Sequence, residues 1–143
     1  MLKGIDPLLG PDLLQILRAM GHGDEIAIVD GNYPADTDAK RLVRMDGHDA
    51  SRIADAILSV MPVDELVSEA VFRPAAYGDA KRMEPVFSDF EAVLKKHEPK
   101  QKLTALVGSD FYNRVKACYA IVASGERRLY GNLIIRKGVI HPT

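Results

Sequence analysis

Apolar and polar positions along the chain follow two rhythms, and each predicts a different kind of element. After Gly10-Pro11-Asp12, Leu13, Leu14, Leu17 and Met20 recur at helical spacing, which predicts a helix that Gly21 closes. A second helical stripe runs from Asp49 to Met61 through Ile53, Ala54, Ile57 and Leu58, and Pro62 stops it. A third spans Pro85 to Lys96 on Phe87, Phe90 and Leu94, and a short fourth covers Asp110 to Ala117. Between them lie short apolar runs of strand length. Glu25–Asp30, with Ile26, Ala27, Ile28 and Val29 in succession, suits a strand buried on both faces. Further strands are predicted at Arg41–Met45, within Leu66–Arg73 around Val71-Phe72, at Leu103–Val107, at Tyr119–Ala123 and at Tyr130–Ile135. Gly31 to Asp38 reads as a loop and Pro74 to Met83 as an irregular excursion. Strands alternating with helices predict an α/β domain with a mostly parallel sheet. Neither repeat nor linker divides the chain, so residues 1–143 are expected to form a single domain.

Composition narrows this picture. Of 143 residues, 47% are apolar, enough for a core without disulfide or structural metal. Charge is balanced at −1, which argues against nucleic acid or an anionic membrane held by bulk electrostatics. The single cysteine, Cys118, sits in an apolar run and reads as a small buried hydrophobe. One cysteine permits no intrachain disulfide, in keeping with a reducing compartment. Met1–Pro7 lacks the apolar stretch of a signal peptide, and no run reaches the roughly 20 residues that span a bilayer, so the expected location is the cytoplasm.

Ligands of open α/β sheets bind beyond the carboxyl ends of strands, and three stretches carry suitable chemistry. His22, between Gly21 and Gly23, is free of bulky neighbours, and histidine is the side-chain type whose unperturbed pKa lies nearest neutral pH, which suits proton transfer. A solvated histidine at a helix end is the competing reading. Asp30 ends an apolar strand, where a carboxylate can orient an imidazole, bind a sugar hydroxyl or simply start a turn. Asp24 has the same choices. Tyr130 and Asn132 flank Gly131, offering a stacking face and neutral hydrogen-bonding groups of the kind that hold sugars, or an ordinary β-turn. His22, Asp24 and Asp30 lack the accompanying His/Cys cluster of a metal site. Gly21-His22-Gly23 follows a helix and precedes a strand, the wrong order for a dinucleotide fingerprint.

Taken in order, several segments resemble the L-fucose mutarotase / D-ribose pyranase family, and its fucose mutarotase branch more closely. They are Met20-Gly21-His22-Gly23-Asp24-Glu25-Ile26, Asp30, Pro34-Ala35, Phe111-Tyr112, Lys116-Ala117, Ala120-Ile121-Val122, Gly125-Glu126, Tyr130-Gly131-Asn132 and Lys137-Gly138-Val139. The resemblance implies a Rossmann-like three-layer α/β/α sandwich and interconversion of sugar anomers with neither metal nor organic cofactor. It implies His22 as general acid, Asp30 as sugar-binding carboxylate and Tyr130, Gly131 and Asn132 as a sugar-binding segment from a neighbouring subunit. Asp24 and Tyr112 are possible supporting residues. A homo-oligomeric ring, often a decamer, with sites at subunit interfaces is implied as well.

Two departures touch the sugar pocket. Gly108 stands where the family carries a substrate-contacting Arg or His, and Gly31-Asn32-Tyr33-Pro34 replaces Ala-His-Phe-Pro. Arg114 and Arg73 are the candidates for the missing cation. The expected activity is acid–base ring opening of L-fucose or a related monosaccharide. The alternatives are pyranose–furanose exchange or a non-catalytic sugar-binding protein, which Gly108 favours.

Overall fold

A computed structural model describes residues 1–143. The chain forms α1 (Pro11–Ala19), β1 (Glu25–Val29), α2 (Ala35–Asp38), β2 (Leu42–Met45), α3 (Ala50–Leu58), β3 (Val71–Pro74), α4 (Pro85–His97), β4 (Leu103–Leu106), α5 (Ser109–Ala117), β5 (Ala120–Ser124) and β6 (Leu133–Arg136). Pro11 and Pro85 occupy the first turns of α1 and α4, where no backbone N–H is needed. Asp49 caps α3 by accepting from the Arg52 N–H at 2.8 Å.

The six strands make one sheet in the order β2-β5-β1-β6-β3-β4. β1 and β2 pair with β5 in parallel, as β3 does with β4. β6 runs antiparallel between β1 and β3, with Ile26 opposite Ile135 and Phe72 opposite Ile134. The sheet is therefore mostly parallel, with one reversed strand at its centre. Alternate strand residues feed two cores. Ile26, Ile28, Val71, Leu133 and Ile135 pack with α1, α3 and α4, while Ala27, Val29, Phe72, Ile121 and Ile134 pack with Phe111 and Val115 of α5. These are the three layers that the resemblance implies.

Differences from expectation are local. Residues 31–38 are not all loop, because Ala35 buries against the second core and starts the single turn of α2. β6 begins at Leu133 rather than Tyr130, because Tyr130 takes a left-handed φ of 62° that breaks the extended backbone. Cys118 is buried, and its thiol is pushed up to about 12, first by burial and then by Glu25. No helix is long and apolar enough to cross a membrane.

Gly125 passes so close to the Asp46 carbonyl that an added methyl would collide with it. Gly125→Ala is expected to cost about 1–3 kcal/mol, as overpacking against rigid backbone does. The check is the urea midpoint; an unchanged midpoint would mean that the 46–48 loop gives way freely.

Candidate functional site

The singled-out residues separate onto the two edges of the sheet. β1 is five residues long, so four rises of about 3.3 Å put its end residues roughly 13 Å apart. His22 precedes the strand and Asp30 follows it. Within one chain they do not share a ligand, and Asp30 does not orient His22.

At the amino edge, the 21–24 turn is clamped from several sides. Asp24 accepts the Gly21 N–H at 2.8 Å, so its carboxylate closes the turn and lies outside the Asp30 pocket. The Gly23 N–H donates to the Lys137 carbonyl at 2.9 Å, and the Lys137 ammonium donates to the carbonyls of Leu17 and Met20 that end α1. Gly23 has a φ of +88°, and a Cβ there would stand 3.0 Å from the Arg136 guanidinium, so a side chain is doubly disfavoured. This leaves the His22 side chain 42% exposed, with Nε2 3.1 Å from Oδ2 of Asp64, which is 1% exposed. The same Oδ2 accepts from Arg136 Nε at 2.8 Å, and the Leu66 N–H donates to Oδ1 at 3.0 Å. Burial opposes ionisation of Asp64, but Arg136, the Leu66 N–H and His22 outweigh it and hold the carboxyl below its usual range. Behind Arg136, Glu25 is bound twice by Arg114, at 2.8 and 2.6 Å. Arg114 is thus committed to the amino edge and does not serve a pocket at Asp30.

At the carboxyl edge, Asp30 and Asn132 form a reciprocal pair. The Asp30 N–H donates to Asn132 Oδ1 at 2.8 Å and Asn132 Nδ2 donates to Asp30 Oδ2 at 3.2 Å. Segment 130–132 therefore sits beside its own chain's Asp30. Gly131 is required because a Cβ would run into the buried Glu126 side chain. Burial raises Glu126, but Arg128 outweighs this and keeps the carboxylate ionised beneath the segment. Asp30, Asn132, Tyr33, Tyr112 and Lys116 line a hollow of about 350 Å³. Tyr33 and Tyr112 stack at 6.3 Å, and the Tyr112 phenol is pushed up by burial, then by Tyr130 and Asp30. Carboxylate, amide, ammonium and aromatic faces around one small hollow suit a polyhydroxylated ligand.

Gly108 caps α5 at φ +58° and ψ −133°, a glycine conformation, and a Cβ there would meet open space. Arg73 is buried with its guanidinium 4.1 Å over Phe87, its Nη1 and Nη2 on the carbonyls of Pro74 and Ala80, and its Nε without a partner. Lys116 is the cation that lines the Asp30 hollow. A larger hollow of about 620 Å³ between residues 65–68 and 98–102 is lined mainly by charged and polar residues and contains none of these residues. No group of three or more His, Cys, Asp or Glu side chains is placed to hold a metal ion.

Asp64 was not singled out in the sequence. Pro62-Val63-Asp64 follows a helix and reads as a loop start; only the fold brings it to His22, 42 positions away.

Fold and site together define a small α/β protein with a polar, aromatic-walled hollow at one sheet edge and an imidazole–carboxylate pair at the other. The chain belongs to the RbsD / FucU transport protein family, whose model matches residues 3–140. It is 39% identical to the fucose mutarotase of Homo sapiens, covering 97% of this chain and 94% of that protein. The crystal structure of the Streptococcus pneumoniae fucose mutarotase in complex with L-fucose is 39% identical, covers 98% of this chain and all of that one, and superposes with a TM-score of 0.90. The Bacillus subtilis RbsD structure, complexed with D-ribose, shares the fold at a TM-score of 0.72 and 24% identity, covering 99% of this chain and 100% of that one.

Asp64 supplies a test of the amino edge. A carboxyl lowered from 3.8 on folding adds stability above about pH 4 and loses it as pH falls through the lower folded value. Asp64→Asn is expected to be less stable than wild type at pH 7, with the gap narrowing towards pH 3. Urea midpoints at both pH values check this, and a constant gap would show that the ionised carboxylate is not what stabilises the turn.

Proposed function

We propose that this protein is a mutarotase that interconverts the anomers of L-fucose or a closely related monosaccharide. The observation that carries the reading is the half-exposed His22 held by the buried Asp64 at 3.1 Å. Ring opening needs a proton on the ring oxygen and loss of the anomeric hydroxyl proton to water or a second polar group; the bond from C1 to the ring oxygen then breaks, the aldehyde turns, and closure reverses both transfers. With Nε2 facing Asp64, Nδ1 is left to give and retake the proton, and the ionised Asp64 stabilises the imidazolium. His22 is the general acid. Asp30, Tyr130, Gly131 and Asn132 bind sugar hydroxyls, with Tyr112 supporting them. The fucose mutarotases at 39% identity support the substrate class. No step calls for a metal or organic cofactor.

Because His22 and the Asp30 hollow lie on opposite sheet edges, a site that uses both draws them from two copies of the chain. This supports a homo-oligomer with His22 of one subunit facing the Asp30–Asn132 pair of the next, and the proposed assembly is a ring or stacked-ring decamer. The cytoplasm is the proposed location.

His22→Ala is expected to lower the catalysed rate by about 10²–10⁴-fold while leaving the fold intact. Anomeric exchange measured by saturation-difference NMR with L-fucose, D-ribose, D-galactose and L-rhamnose checks it. Full activity in His22→Ala would remove the histidine from the mechanism. No exchange by wild type with any of the four would overturn the mutarotase reading.

A further inference from the structure

Two non-glycine residues of the chain have positive φ, Tyr77 at 52° and Tyr130 at 62°. They are packed against each other, ring to ring, at 5.0 Å and an interplanar angle of 62°. Tyr77 occupies the tip of the Pro74–Met83 excursion, in a tight turn closed by the Asp79 N–H on the Ala76 carbonyl at 3.0 Å, and Gly78 follows at φ +74°. Consecutive positive φ values favour Asn, Asp or Gly at the first position. A tyrosine there gains nothing for the turn itself. Nor does it gain burial, since it remains 60% exposed.

The excursion is held in place from below. The buried Arg73 donates to the carbonyls of Pro74 and Ala80 and lies on Phe87 of α4, so both arms are tied to the sheet and helix. Arg82 lies 4.2 Å over the Tyr77 ring and is itself tied to Glu84 at 2.9 Å. Tyr77 is thus fixed against Tyr130, two residues from the Asn132 that pairs with Asp30.

We propose that Tyr77 is a specificity-determining residue, forming with Tyr130 an aromatic wall for the C–H face of a neutral pyranose whose hydroxyls reach Asp30 and Asn132. The assignment rests on the sugar-binding reading of that edge. An aromatic face takes up the side of a sugar that bears carbon-bound hydrogens, while hydroxyls are left to polar groups. Galacto-configured sugars gather the hydrogens of C3, C4 and C5 on one face beside C6, so the wall favours L-fucose over D-ribose.

The test compares Tyr77→Asn, which keeps the turn and removes the ring, with Tyr77→Phe, which keeps the ring. Tyr77→Asn is expected to raise KM for L-fucose about three- to tenfold with kcat within twofold of wild type, and to change KM for D-ribose less. Tyr77→Phe is expected to keep the wild-type KM. Saturation transfer from protein to the sugar's C–H protons is read in parallel, so binding is followed without turnover. If wild type binds L-fucose without exchanging it, the mutarotase reading fails, and loss of transfer in Tyr77→Asn still supports the wall. Unchanged KM and transfer in Tyr77→Asn would overturn the wall, as would wild type that takes up none of the sugars.

Discussion

β6 runs against its neighbours, and much of the site depends on that reversal. In a purely parallel sheet both ends of a strand would be reached through long crossovers. Here one short strand delivers Asn132 to the carboxyl edge of β1 and Arg136 to its amino edge, pinned by pairing to β1 and β3. Asn132 meets Asp30 at one end, and Arg136 meets Asp64 at the other. The register that buries Leu133 and Ile135 in one core and Ile134 in the other also sets where both polar residues fall. A slip of one residue would exchange the faces and dismantle both ends together.

Asp64 is the costliest group in this arrangement. A carboxylate withdrawn from water loses several kcal/mol of hydration, and only well-aligned donors offset it. Three converge on it, and one is the imidazole proposed for the chemistry. Arg136 adds a second constraint by lying against Gly23, so the charge that satisfies Asp64 also sets the height of the His22 turn. Packing and electrostatics fix the same side chain, which is how a loop histidine between two glycines becomes well placed.

The elements were legible because their signals are local. Helical stripes and apolar runs locate ten of the eleven elements closely, and α2 escaped because one turn carries no period. His22, Asp30 and Asn132 stood out by their chemistry and by family resemblance. What local pattern could not carry was partnership. Asp64 and His22, or Asp30 and Asn132, are brought together by strand order, and the reversed β6 left no mark in its apolar pattern. The excursion at 74–83 was equally opaque: its order comes from a buried arginine bonded to backbone carbonyls, and Arg73 looks like any strand-end cation in the sequence.

The separation of the two edges has a physical logic. A histidine that must gain and lose a proton benefits from a carboxylate partner and partial exposure. A sugar-binding hollow benefits from aromatic walls and neutral donors, and a nearby charged dyad would compete with the sugar for Asp30. Placing them at opposite ends of β1 lets each form on its own terms, with the hydrophobic layers between them. In the mutarotase proposed above, recognition and proton transfer would meet only where one chain's amino edge faces another's carboxyl edge. Such a head-to-tail contact is heterologous, and a heterologous contact that closes generates a ring.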